Sequence, residues 1–144
     1  MGFRGEQLIV DTSALFALVD EADEFHDRAV ALLGAFPGDL LVPALVVAET
    51  AFLVGRALGG RSEALLLADL AGSDITVDHI PLDEWARIGE LVARYADLPL
   101  GTVDATVVAA AERRGVTAIA TTDRRHFSGV RPAHAGAFQL PLLD

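Results

Sequence analysis

Four acidic side chains stand where chemistry could use them: Asp11, Glu49, Asp104 and Asp123. Asp11 closes the apolar run Leu8-Ile9-Val10 and is followed by Thr12 and Ser13, and Asp123 closes Thr117-Ala118-Ile119-Ala120-Thr121 in the same manner. A short apolar run ended by helix-start residues reads as a buried strand feeding a helix. Each acid then sits at the carboxyl end of a strand, the edge at which open α/β sheets bind ligands. Taken alone, Asp11 reads more simply as a helix N-cap. Asp104 opens a helix, where the dipole also favours an acid. Several carboxylates brought to one edge repel one another at neutral pH, however, and Mg²⁺ or Mn²⁺, held by carboxylate and water oxygens, would relieve that repulsion. The chemistry open to such a site is metal-assisted phosphodiester hydrolysis, leaving 5′-phosphate and 3′-hydroxyl ends.

The elements that position these acids follow from the apolar spacing. A strand over Leu8–Val10 leads into a short helix from Ser13 to Val19. The acidic link Asp20–Glu24 joins it to a second helix, about Phe25 to Phe36. Leu40-Leu41-Val42 reads as a buried strand, with Pro43 starting a third helix that runs from Ala44 to about Leu58. Glu49 is the only charge in the Leu45–Val54 stretch of that helix, which is apolar on nearly every side and therefore expected to be buried. A buried carboxylate needs a cation, a metal or a raised pKa. The alternatives for Glu49 are a salt bridge to Arg56 or another arginine, or a narrow solvent-facing stripe. Arg61 to Ala71 continues as an apolar helix, and the two together form a greasy hairpin, either packed on the sheet or offered to a partner.

Ile75–Ile80 alternates like an edge strand. Trp85, Ile88, Leu91, Val92 and Tyr95 mark an amphipathic helix, and a further helix opens at Val103 and closes at Gly115. The last expected strands are Thr117–Thr121 and Ala137–Leu140. Alternation of β and α elements is the signature of a mostly parallel sheet covered on both faces, a three-layer α/β/α sandwich.

At 144 residues the chain suits one domain spanning 1–144. No apolar run approaches the roughly 20 residues that cross a membrane, Met1–Glu6 lacks a signal-peptide core, and there is no cysteine, so a cytoplasmic protein with no membrane association is expected. Twenty-one acidic against 11 basic residues give a net charge of −10, which argues against loose, charge-driven binding to nucleic acid but leaves room for a nuclease that neutralises its carboxylates with cations. Every basic residue is arginine. Without lysine, a phosphate-accepting receiver domain is excluded. Ser13 stands where an Asp-nucleophile phosphatase wants a second aspartate. Neither a glycine-rich dinucleotide turn, nor a Walker loop, nor a nucleophile elbow occurs.

The set Val10-Asp11-Thr12-Ser13, Val47-Ala48-Glu49, Val103-Asp104-Ala105 and Thr121-Thr122-Asp123-Arg124-Arg125-His126-Phe127 resembles the PIN-domain ribonucleases, specifically the VapC-type toxins of bacterial toxin–antitoxin pairs. The resemblance covers essentially the whole chain. It implies that Asp11, Glu49, Asp104 and Asp123 are an acidic quartet that binds Mg²⁺ or Mn²⁺, with Thr12, Ser13 and Thr122 as supporting hydroxyls. It also implies an endoribonuclease acting on an RNA substrate, a homodimer, and inhibition by a VapB-type antitoxin. Arg124 and Arg125 are expected to hold RNA phosphates. The alternative for Arg124, Arg125 and His126 alike is a solvated turn or a salt bridge to the acids, and for His126 it is the simpler reading. A PIN-like module that keeps its acids but only binds RNA or protein is the alternative from another functional class.

Overall fold

The computed structural model describes residues 6–144, so the amino-terminal stretch read for its lack of a signal sequence lies largely outside the described residues. In chain order the elements are β1 (Gln7–Val10), α1 (Thr12–Val19), α2 (His26–Ala35), β2 (Asp39–Pro43), α3 (Ala44–Leu58), α4 (Gly60–Gly72), β3 (Thr76–Asp78), a single 3₁₀ turn (Leu82–Glu84), α5 (Trp85–Arg94), α6 (Thr102–Arg114), β4 (Ile119–Ala120) and α7 (Arg124–Gly129). The four strands pair in parallel in the order β3-β2-β1-β4. The chain therefore steps outward from β1 to β2 and β3, then returns to the opposite side of β1. α1 packs on α2 and α3, and α3 on α4, while α5 and α6 pack together. Right-handed crossovers put the first group on one face of the sheet and the second on the other, which is the expected α/β/α sandwich.

Burial explains why these segments hold. Leu8, Ile9 and Val10 of β1 are 1% exposed or less, as continuous apolar runs in parallel sheets must be when both faces are covered. α6 is buried along its whole middle, Ala105 to Ala111, where alanines let it lie close to the sheet. It stops at Gly115, whose φ of +67° gives the left-handed cap that glycine adopts without strain.

Three expectations change. The strand expected at Ala137–Leu140 is reduced to one parallel bridge, Ala118 to Gln139, with Ile119 N–H donating to the Gln139 carbonyl and Gln139 N–H to the Thr117 carbonyl. Pro141, with no N–H to give, follows at once. Arg124 and Arg125 begin the short helix α7 and are not in a turn. Most consequentially, α3 is buried on one side only. Val46, Thr50, Ala51 and Val54 face inward, whereas Ala48, Glu49, Phe52 and Leu53 are exposed, Phe52 by 56%. The apolar character that predicted a buried helix continues onto its outer face, and Glu49 is not a buried charge. Among the described residues no helix is long and apolar enough to cross a membrane.

Candidate active site

The switch in strand order falls between β1 and β4, and the residues after these two strands are Asp11 and the pair Thr121-Thr122, leading to Asp123. Register fixes the meeting. Val10 pairs with Ala120 and Asp11 N–H donates to the Ala120 carbonyl at 2.9 Å, so Thr121 lies beside Asp11. The Thr121 hydroxyl, fully buried, donates to Asp11 Oδ2 at 2.8 Å and accepts from Asp123 N–H at 3.0 Å. Having one proton and having given it to Asp11, it accepts from Ser13 Oγ at 3.2 Å, and Ser13 Oγ in turn accepts from Thr122 N–H at 2.9 Å. Ser13 is thus part of the support. Thr122 contributes its backbone, and the buried Thr12 hydroxyl lines the cleft without a hydrogen-bond partner.

Asp11 is 4% exposed and makes no side-chain capping bond to α1, which removes the simpler reading of this residue. Its Oδ1 is buried with no partner. Burial pushes its pKa up to about 7, the Thr121 hydrogen bond and, more weakly, the Thr12 backbone N–H oppose this, and the charges of Asp104 and Glu49 add to it. Asp104, in the first turn of α6, is also shifted upward. Burial leads, the hydrogen bond and charge of His126 oppose it, and Asp123 and Glu49 contribute. Asp123 caps α7, accepting His126 N–H on Oδ1 at 3.0 Å. The His126 ring then closes the group: its Nδ1 is 2.7 Å from Asp104 Oδ2 and 2.9 Å from Asp123 Oδ2.

These residues open onto a cleft of about 410 Å³ lined by Asp11, Asp104, Asp123 and Glu49, with Phe16, Phe25 and Leu53 as apolar wall and Asp23 and Glu24 adding acid. All four sequence-read acids are therefore brought to one place, Glu49 from the exposed face of α3 and in no ion pair among the described residues. Among the described residues no arginine lines the cleft. Arg124 reaches away to Asp144 at 3.0 Å, and Arg125 is exposed on α7 outside the lining. Sequence reading missed Thr121, although a hydroxyl ending a buried strand next to the Asp11 strand was its signal. It also treated Asp23 and Glu24 as part of a mere link.

The donor set suits a divalent cation. It is rich in carboxylate oxygen and, among the described residues, one of its buried oxygens has no hydrogen-bond partner and no guanidinium neutralises it. Asp11, Asp104, Asp123 and Glu49 are the residues that could hold such an ion.

Comparison with known proteins identifies the family to which this fold belongs. The family described as PIN domain matches residues 8–131. The chain is similar to Ribonuclease VapC26 of Mycobacterium tuberculosis, 35% identical over 131 residues that span 91% of this chain and 97% of that protein. It is also similar to the 23S rRNA-specific endonuclease VapC20 of the same species, 28% identical over 76% of this chain and 83% of that one. The crystal structure of M. tuberculosis VapC20, described as a Sarcin-Ricin loop cleaving toxin, superposes with a TM-score of 0.76 at 27% identity, covering 81% of this chain and 89% of that one. VapBC2 of Rickettsia felis shares the fold at a TM-score of 0.65 and 15% identity over 86% of this chain and 92% of that one.

Proposed function

Because the chain belongs to the PIN-domain family, we propose that residues 1–144 form one PIN domain acting as a divalent-metal-dependent endoribonuclease, the toxin of a type II toxin–antitoxin pair. The observation that carries the reading is Asp11: a buried carboxylate with one oxygen unpartnered, in a cleft with Asp104, Asp123 and Glu49 and, among the described residues, no arginine. Mg²⁺, or Mn²⁺ in its place, would be held by these carboxylates, and when bound it makes water acidic enough to attack at neutral pH and offsets charge growing on the phosphate. The chain supplies the rest. Thr121 fixes the Asp11 carboxylate through Oδ2 and leaves Oδ1 free, while the Ser13 hydroxyl holds Thr121 and the Thr122 backbone together. Phe16, Phe25 and Leu53 narrow the water around the acids, which strengthens every charge interaction inside. Arg125, exposed and in no ion pair among the described residues, is free to meet a phosphate; Arg124 must first release Asp144.

The partners follow the same reading. The outer faces of α3 and α4 expose Phe52, Leu58, Leu65 and Leu67 by 41% or more, apolar area suited to a second copy of the chain or to a VapB-type antitoxin. The cytoplasm, where cellular RNA and free Mg²⁺ meet, is the expected place of action.

Purified, antitoxin-free protein incubated with total cellular RNA should give discrete fragments with 5′-phosphate and 3′-hydroxyl ends in Mg²⁺ or Mn²⁺ and none in chelator. Asp104→Asn should remove the activity. Absence of cleavage by folded protein in either metal, or equal cleavage by Asp104→Asn, overturns the assignment.

A further inference from the structure

We propose that His126 is itself a ligand of the divalent cation, through Nδ1, so that the ion is held by an imidazole nitrogen together with Asp104 and Asp123. The inference rests on the metal-site reading above and adds a residue to it. The ring nitrogen faces two carboxylate oxygens at once, 2.7 Å to Asp104 and 2.9 Å to Asp123, and the ligand atoms of the three residues all lie within 4.8 Å of one another. Adjacent ligands about 2.1 Å from an octahedral cation lie about 3.0 Å apart. The nitrogen and its two oxygens therefore already have the separations of neighbouring ligands on one ion. A hydrogen bond alone would need only one of the two oxygens.

The position is also pinned from behind. Asp123 Oδ1 accepts the His126 N–H, and α7 carries Asp123 and His126 on one turn, with Phe127 fully buried to fix that turn against the core. An independent feature of the same cleft points to a ligand: Asp11, 96% buried, has an oxygen with no partner. On binding, the imidazole offers the Nδ1 lone pair as the tautomer that carries its proton on Nε2, and Asp104 exchanges its hydrogen bond with the ring for the ion.

An imidazole nitrogen changes which ion is preferred. Carboxylate and water oxygens suit Mg²⁺ and Mn²⁺ alike, whereas nitrogen adds affinity for first-row transition ions and little for Mg²⁺. The site is therefore expected to favour Mn²⁺ over Mg²⁺ by more than an all-oxygen set would, with His126 responsible for the excess.

The test needs no RNA, so its outcome is separate from the nuclease assignment. Tag-free protein loaded with one equivalent of Mn²⁺ is examined by electron spin-echo envelope modulation, which detects a directly bonded ¹⁴N. Wild type should show imidazole nitrogen coupling, and His126→Gln and Asp104→Asn should lose it. In parallel, calorimetric titration should show Mn²⁺ affinity falling about tenfold in His126→Gln with Mg²⁺ affinity changed less than threefold. His126→Ala, checked for folding by circular dichroism, should match His126→Gln. Wild type without nitrogen coupling, coupling that persists in His126→Gln, failure of Mn²⁺ to bind, or equal losses for both metals would each overturn the proposal.

Discussion

Two aspartates stand at the carboxyl ends of parallel strands in one sheet and meet opposite fates. Asp11, just past β1, and Asp78, closing β3, are 4% and 2% exposed. Burial alone raises both pKa values. At Asp78 it is outweighed by hydrogen bonds from Arg113 and then Arg114, and by their charges. Arg113 Nη2 donates to Asp78 Oδ2, Arg114 Nε donates to Oδ1 at 2.7 Å, and the carboxyl is held below its usual range. Around this pair, Arg113 also holds Glu84 at 2.8 Å, and Arg87 holds Glu112 at 2.8 Å. Asp11 has a hydroxyl and, among the described residues, no cation, and rises to about 7. The difference separates an acid that completes the fold from one the fold leaves uncompensated. Of the two, only the latter calls for a partner from outside the chain.

The sharpest way to break this contrast is to neutralise each acid in turn. Asp11→Asn and Asp104→Asn should each lower RNA cleavage by more than about a hundredfold, beyond what the loss of a supporting hydrogen bond costs a metal site, with the circular dichroism spectrum unchanged. Asp78→Asn, by contrast, leaves two guanidinium groups facing an amide and should cost about 2–3 kcal/mol in denaturant melts, less than a fully buried pair because both arginines are partly exposed.

Acidity separates the two sites next. Asp11 has a folded pKa above its unfolded value, so the folded state binds the extra proton between about pH 4 and pH 7 and chelated protein loses stability as pH rises through that window. Asp11→Asn should flatten this dependence and raise the stability of the chelated protein by about 2 kcal/mol at pH 8. Asp78 works the other way. Its contribution is present above the unfolded value of 3.8 and is lost as pH falls through its lower folded value, so acid denaturation should begin earlier in Arg113→Ala. The smallest effect belongs to Thr121→Val, about 1 kcal/mol of stability with Mn²⁺ affinity reduced roughly tenfold, measured by melts and calorimetry.

How much of this could be read from the chain depended on whether the signal was local. The strand-then-acid pattern at Val10-Asp11 and the acid in the first turn of α6 are local, and both acids lie where the pattern put them. The apolar run of α3 was local too but ambiguous, because a face kept apolar for a partner has the same spacing as one kept apolar for the core. Glu49 was misjudged as buried for that reason. Thr121 owes its place beside Asp11 to the register of β4 on β1, and Asp78 owes its state to arginines 35 and 36 residues later. Neither relation leaves a mark in nearby sequence. The final strand failed for a simpler cause, a proline where the ladder would have continued.

The buried middle of α6 has one more consequence. Asp104 begins this helix and Arg113 and Arg114 end it, so one end of a rod about 20 Å long carries an acid into the cleft of Asp11 while the other holds Asp78. Between its ends the unbroken buried run from Ala105 to Ala111 seats it on the core. The bulk of that run sets how far the rod stands off the sheet, and so how closely Asp104 approaches the strand ends. The interior alanines thus act as a spacer for the chemistry, and enlarging one would open the cleft without touching any residue that lines it.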